Sequence, residues 1–436
     1  LDADFSSIAA DTAFTAGLDS SGDVTILGAA DLGTATVNID FSGLVTVAAG
    51  ATVGAANLHM MSTGHITGAA AELTTVQISD TGNNGTVTIT ALEATLGADL
   101  STIVAGTITA ALSSTGDVDF LSTANLGSAV VNVFGSGTVT IATGATVSAT
   151  TFDLKGRSEL IGSAADLSGT KTLDGSSNAA VTITSLENNL AATFANMSTN
   201  SDIRVFLDSA GTFTGVLGGA AVTLADGADI TIAAGKAAGK TFNGDNDGSG
   251  TAGQVLVTLA NANAADKSAD LTTITAQQDA TVGSVTVTDS LEFTGVLHAT
   301  VSTTIADDAV MTVGAGIAKG HTLTDDGNLV GTAGKVILTL NSAKADDLNA
   351  VFSTITVADA TIQSIIVEDS LIFTGALHST VATTVADTAV LTTTYTKADA
   401  AFAINHDGSE VGQSLVATIS QAEGEAVGAS AVDLAN

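Results

Sequence analysis

Cysteine, proline and tryptophan are absent from this chain of 436 residues, tyrosine occurs once, at Tyr395, and aromatic residues make up 3% of the total. Without cysteine there can be no disulfide scaffold, thiolate metal site, cysteine nucleophile or CxxC redox pair. So few aromatic rings leave little to line a pocket for a large apolar ligand. Positive charge is scarce too: 11 Lys and Arg stand against 45 Asp and Glu, a formal net charge of -34. That surface repels phosphate backbones and anionic headgroups, so nucleic acid is excluded as a natural partner and cations are favoured. No apolar run approaches the roughly 18 residues of a membrane helix, and no basic-then-apolar leader opens the chain, so no membrane insertion is expected.

The residues that are present specify a folded chain. Hydrophobic residues make up 45% of it and the mean hydropathy is +0.43, too apolar for an acidic disordered polymer. Gly, Ala, Thr, Val, Ser and Asp predominate, small or β-branched residues suited to thin, closely stacked strands.

The chain also repeats. SSGDVTIL around Asp23 returns as STGDVDFL around Asp117, DLGTATVNI at Asp31 as NLGSAVVNV at Asn125, and AAGATV at Ala48 as ATGATV at Ala142, a common offset of 94. Further on, FTGVL at Phe213, FTGVL at Phe293 and FTGAL at Phe373 follow one another at 80. A second marker, a polar turn, a strand and a short amphipathic segment, recurs from Asp80, Asp174, Asp247, Asp325 and His406. These markers divide the chain into a partial first unit over 1–79, units over 80–173, 174–246, 247–324 and 325–404, and a partial last unit over 405–436. A chain that starts at Leu1 and stops inside its own period reads as a piece of a longer repetitive protein.

Within a unit, Leu92, Leu96, Leu100 and Ile103 recur at three and four residues, as do Leu186, Leu190, Phe194 and Met197, and KADDLNAVF from Lys344 has the same character. This spacing predicts one short helix with a single apolar stripe per unit. The remainder alternates apolar and polar in short strands, with apolar segments near Val24, Val37, Val45 and Val53 every eight to thirteen residues. Such spacing suits the faces of a parallel β-helix, and a period of 94 or 80 is then a superperiod of several coils. The expected fold is mainly β, a repetitive parallel β-solenoid with one short helix per 80–94 residue unit. Tandem small β-sandwich domains are the alternative.

The turns before the marker strands carry the candidate chemistry. They hold Asp80, Asn83 and Asn84; Asp174 and Asn178; Asp245, Asn246 and Asp247; Asp325, Asp326 and Asn328; and Asn405, Asp407 and Glu410. Calcium takes six to eight oxygen ligands from carboxylates, carboxamides and carbonyls in flexible loops, so Asp245, Asn246, Asp247, Asp325, Asp326, Asn328, Asp407 and Glu410 are its candidate ligands. GDNDGSG from Gly244 is the best of these turns, although it lacks the closing Glu of an EF-hand, and no GGxGxDxUx run occurs. The same Asp-Gly and Asn-Gly pairs also serve simply as tight turns.

Other constellations carry less. His298 and His378 occupy equivalent repeat positions and read as surface or seam residues, while His59, His65, His321 and His406 show no HxH or HExxH spacing. GSGTAG from Gly248 leads into a strand instead of a helix, and GKAAGKT from Gly235 lacks the first glycine of a phosphate loop, so neither cradles a phosphate. No GxSxG elbow is present, and with 11 positive charges and few aromatics the chain is read as no enzyme.

In its acidity, its lack of cysteine, its shortage of proline and aromatics and its repeats, the chain resembles bacterial S-layer proteins and the large repetitive adhesins exported by type I secretion. The resemblance implies calcium binding and a place outside the cell or on its surface. The function expected is an extracellular structural protein that self-associates into a homopolymer or lattice, as a surface layer or filament, stabilised by Ca2+. One alternative is a surface adhesin that binds a cell-surface glycan or ice through Thr-rich strand faces such as Val381–Thr396, which predicts outward Thr at matching heights in successive coils. A second is a polysaccharide-active β-helix enzyme, which needs one unit to break the pattern with a cluster of acids and a groove.

Overall fold

A computed structural model shows a mostly parallel β-solenoid of about 15 turns with few short helices. It describes residues 15–18, 23–27, 36–39, 42–51 and most of 53–394, together with 404–406 and 414–418. Within 53–394 the residues outside the description are 54–56, 62, 75, 96–98, 101, 113–116, 122–123, 127, 134–135, 146, 149–150, 175–177, 198–201, 247–250, 252, 328–330, 377 and 379. Every strand pair with a resolved register is parallel, whereas a β-sandwich of this kind is built from antiparallel sheets, so the tandem-sandwich alternative falls away. The chain forms two compact units. One comprises Leu1–Thr231, Lys240–Val255 and Ala276–Thr281, the other Ile232–Gly239, Leu256–Thr275 and Val282–Asn436.

In the first unit Val24 pairs with Val45, Val45 with Ile66, Ile66 with Val87 and Val87 with Ile108, so a coil is 21 residues long. The strands Val24–Ile26, Leu44–Val47, His65–Ala69, Thr86–Thr90 and Thr107–Ala111 stack in one sheet. Between them the chain visits a second sheet at Thr15–Leu18, Thr36–Ile39, Asn57–Met60 and Gln77–Asp80. Side chains alternate along each strand, so Val45, Val47, Ile66, Val87 and Ile89 turn into the stack and are buried. Each such side chain stabilises the stack by about 1.5–3 kcal/mol. In the second unit Leu291–Phe293, Val310–Gly314, Lys335–Leu340, Thr361–Val367 and Thr383–Val385 stack in one sheet, and Thr303–Ile305, Thr322–Asp325 and Thr356–Ala358 in another.

The two periods in the sequence are one structural event. Val24–Ile26, Val118–Phe120, Gly211–Phe213, Leu291–Phe293 and Leu371–Phe373 each open a new sheet, and the last residue of each is buried. From Ile26 the buried column runs through Val47, Gly68, Ile89 and Ala110, and Phe120 opens the next sheet half a coil later. A repeat of 94 is therefore four coils and a half. From Phe293 the column runs through Val313, Leu338 and Ile365 before Phe373, so a repeat of 80 is three coils and a half, its coils lengthened by the insertions around the acidic turns.

The amphipathic marker segment closes a sheet. The helix expected from Leu92 is a single 3-10 turn, Leu92–Thr95, after which Ile103 bridges to Ile78 on the last strand of the second sheet. Leu186–Asn189, Leu271–Thr273 and Phe352–Thr354 are 3-10 turns of the same kind. One-turn α-helices that the apolar spacing did not indicate add to these at Ala70–Leu73, Ala164–Leu167, Ala234–Ala237, Ala264–Lys267 and Ala315–Ala318. KADDLNAVF from Lys344 forms the α-turn Ala345–Leu348 followed by the 3-10 turn. The glycine of each FTG sits against these closures. A Cβ on Gly215, Gly295 or Gly375 would lie 1.8, 2.0 or 1.9 Å from the carbonyl oxygen of Ala192, Ala269 or Ala350. Among the described residues no helix is long and apolar enough to cross a membrane.

Candidate metal sites

Equivalent turns in successive repeats bring carboxylates together. In the first unit Leu224 pairs with Gly244, which sets Asp226, two residues after Leu224, beside Asp245, one residue after Gly244. In the second unit Ile305 pairs with Asp325, which sets Asp307 beside Asp326 in the same relation. Asp226, Asp245 and Asp279 form one cluster and Asp307, Asp325 and Asp326 another, each with its carboxylate oxygens within 4.8 Å of one another.

The third carboxylate arrives by a different route in each. At the first site Asp279 reaches over from a later coil and donates no side chain of the marker turn: its Oδ1 would lie 1.4 Å from a Cβ built on Gly244. At the second site the residue in the Gly244 position is Asp325, which supplies the carboxylate itself. Asp279 also accepts from the backbone N–H of Asn246 at 3.4 Å. Asp325 accepts from the N–H of Gly334 at 2.7 Å and of Gly327 at 3.3 Å.

The local chain explains why these residues can hold such turns. Asn246 and Gly327, each following its marker-turn Asp, take positive φ of 58° and 71°, a conformation open to Asn and Gly. The N–H of Gly334 is the main reason the Asp325 carboxyl lies below the ordinary carboxylate range; burial opposes it, and the N–H groups of Gly327 and Asp326 and a side-chain bond to Asp307 add to it. Asp325 therefore stays ionised beside its neighbours, the state a cation requires.

Of the eight residues expected from sequence, Asp245, Asp325 and Asp326 are brought into clusters. Asn246 lines the first through its backbone, and Asp247, Asn328, Asp407 and Glu410 lie outside the described residues. Asp226, Asp279 and Asp307 were missed. A signal existed for two of them: LADGAD from Leu224, IADDAV from Ile305 and VADTAV from Val385 place Asp226, Asp307 and Asp387 in successive repeats. Nothing local marks Asp279, which joins only because the stacking brings its coil over Gly244. The donor set is all carboxylate oxygen on turns, which fits a hard divalent cation.

Other groups are arranged structurally. The Asp208 carboxyl is pushed up by burial and by Glu187, but Asp208 is exposed and Glu187 accepts its backbone N–H at 3.3 Å, a turn contact. Asp266 and Asp347 are buried and clamp backbone amides. Asp266 accepts from Gly235 N at 2.8 Å, Ala260 N at 3.2 Å and Asn263 Nδ2 at 3.0 Å; Asp347 accepts from Gly316 N at 2.6 Å and Asn341 N at 3.2 Å.

On the outer face of the first unit Thr25, Thr46, Thr67, Thr88 and Thr109 stand in one register across five neighbouring strands, about 4.8 Å apart. The segment Val381–Thr396 is not such an array. Thr383 and Thr393 turn inward and are buried, Thr384 and Thr392 lie on different sheets, and Tyr395 and Thr396 lie outside the described residues. Comparison with family models, with curated proteins and with solved structures finds no match for the chain.

Proposed function

We propose that this chain is an extracellular structural protein, of the kind resembled by S-layer proteins and large repetitive adhesins, that self-associates into a surface layer or filament and is stabilised by calcium. The observation that carries this reading is the recurrence of a three-carboxylate cluster on equivalent turns of two repeats, its third ligand supplied by two unrelated routes. Repulsion among these carboxylates opposes stacking of the coils that carry them, and a divalent cation reverses its sign. Asp226, Asp245 and Asp279 would hold one ion and Asp307, Asp325 and Asp326 another, with the remaining coordination filled by carbonyls and water. The reading of no catalytic activity rests on composition, 11 positive charges and 3% aromatic residues being few for a polysaccharide site.

Calcium titration of the full chain, following particle size by light scattering alongside thermal unfolding with magnesium as control, tests this. Calcium at 100 times its dissociation constant stabilises by about 2.7 kcal/mol per site. A calcium-specific rise in melting temperature and ordered growth of particles, both reduced in Asp245→Asn and Asp326→Asn, support the reading. Unchanged melting and size in calcium overturn both the metal sites and calcium-driven assembly.

The threonine column favours a second reading, in which the outer face of the first unit binds a glycan or ice as an adhesive module. Thr46→Glu with Thr88→Glu would then abolish binding to a glycan array or inhibition of ice recrystallisation at unchanged melting temperature, and equal activity in the variant would discard it.

A further inference from the structure

His298 and His378 stand 80 residues apart, each half-buried at the start of the turn that leads into the strand Thr303–Ile305 or Thr383–Val385. The Nδ1 of His298 lies 3.4 Å from the backbone nitrogen of Thr300 and 3.2 Å from that of Val301. The Nδ1 of His378 lies 3.2 Å from Thr380 N and 3.1 Å from Val381 N. A backbone amide can only donate. Each Nδ1 must therefore present its lone pair, and each imidazole is neutral with its proton on Nε2.

His59 and His65 provide the contrast. His59 sits between Ser79 Oγ at 2.8 Å and Thr81 Oγ1 at 2.7 Å, and His65 Nε2 lies 2.8 Å from Thr88 Oγ1. A hydroxyl can rotate between donating and accepting, so these contacts fix no lone pair on the ring. At His298 the added proton would point at two N–H groups that cannot turn away, and at His378 at two N–H groups with the Thr380 hydroxyl 3.4 Å from the same Nδ1 beside them.

We propose that the His298 and His378 turns are acid-released latches: protonation of the two imidazoles expels them from their amide pairs and frees the segments that enter Thr303–Ile305 and Thr383–Val385. Burial disfavours the imidazolium at both positions, and His321 adds to this at His298. His321 is itself held below the ordinary histidine range by burial, opposed by a bond to the His298 backbone. The ionisable residues on the segment bonded to Thr294–Val296 are Asp266, Lys267 and Asp270, with the Asp266 carboxylate turned to Gly235, Ala260 and Asn263 and that of Asp270 engaged by Thr272. On the segment bonded to Thr374 they are Lys344, Asp346 and Asp347, the last turned to Gly316 and Asn341; the ring of Phe352 meets His378 edge-on at 6.5 Å.

The sign follows from these lowered values. Below about pH 6.5 the unfolded chain binds protons that the folded turns refuse, so stability falls as pH drops through that value and levels off below the native ones.

Amide hydrogen exchange of the full chain at pH 7 and pH 5, corrected for intrinsic rates, tests the proposal against the double variant His298→Asn/His378→Asn. The Asn Oδ1 accepts from an N–H two residues on and does not titrate. In the wild type, exchange at Val301 and Val381 is expected to rise about tenfold or more at pH 5, the opening expected from two lost hydrogen bonds. The variant is expected to show no rise. Equal acceleration in the variant, or none in the wild type, overturns the proposal. Histidine 15N shifts of the wild type at pH 7 give a reading independent of the variant's folding: an Nδ1-protonated tautomer at His298 or His378 also overturns it.

Discussion

Asp347→Ala is the substitution whose cost can be worked most directly from the structure. The side chain is 2% exposed, on the one-turn helix Ala345–Leu348, and its two oxygens accept from Gly316 N at 2.6 Å and Asn341 N at 3.2 Å. Gly316 belongs to the helix Ala315–Ala318 of an earlier coil, so the carboxylate ties two coils together. Hydrogen bonds to a charged group are worth about 1.5–3 kcal/mol each, and alanine would leave both N–H donors, on half-buried residues, without this acceptor. Against that stands the desolvation of the carboxylate, which alanine relieves and which pushes the Asp347 carboxyl above its ordinary range. The net loss is about 2–4 kcal/mol. Urea unfolding of the full chain, with amide exchange at Gly316 and Asn341, measures it. Asp347→Asn keeps one acceptor oxygen but turns an NH2 toward the other amide, so its loss should be intermediate. A loss within about 0.5 kcal/mol for the alanine variant, the range of an ordinary surface substitution, would refute the view that this buried acid holds the coils together.

Other outcomes follow from single positions. Because burial raises the Asp347 pKa, the folded state holds this proton above the unfolded value near 3.8, so its contribution to stability should weaken as pH rises from there through the native value; pH-dependent unfolding should lose that slope in Asp347→Ala. Gly295→Ala would place a Cβ 2.0 Å from the Ala269 carbonyl oxygen and should lower stability by more than about 3 kcal/mol in thermal unfolding. Gly219→Ala, with nothing within 4 Å of the new carbon, should stay within about 0.5 kcal/mol. Thr388 holds φ of 63°, a strained state for a β-branched residue where the equivalent residue is Gly227 at 69°; Thr388→Asn should raise stability by about 0.5–1 kcal/mol in the same assay.

The sequence by itself determined a mainly β, repetitive chain, and the parallel pairing of its strands then chose the solenoid over tandem sandwiches. Strands of two to seven residues with small alternating side chains, separated by Gly and Asp turns, cannot bury their apolar face alone, and stacking is what completes each one. The internal repeats also placed the marker turns, and Asp245, Asp325 and Asp326 were legible as ligand candidates because their type and setting recur. The amphipathic spacing from Leu92 was legible as a break in the strands but not as a 3-10 turn, since one turn of helix has too few residues for periodicity to separate the two.

Only the tertiary structure decided how coils fit into the repeats. Four coils of 21 residues leave half a coil of the 94-residue repeat, three longer coils leave about half a coil of the 80-residue one, and that remainder starts each repeat in a new sheet, a fact of winding that no single strand carries. The clusters were decided in the same way. Asp279 meets Asp245 because its coil lies over Gly244, and Asp325 meets Asp307 because strand register puts Ile305 beside it. Which threonines form a column was settled by inward and outward alternation, which buries Thr383 and exposes Thr25 although both lie in Thr-rich strands. Residue types name the chemistry that a turn or face can perform. Stacking chooses which of those residues meet.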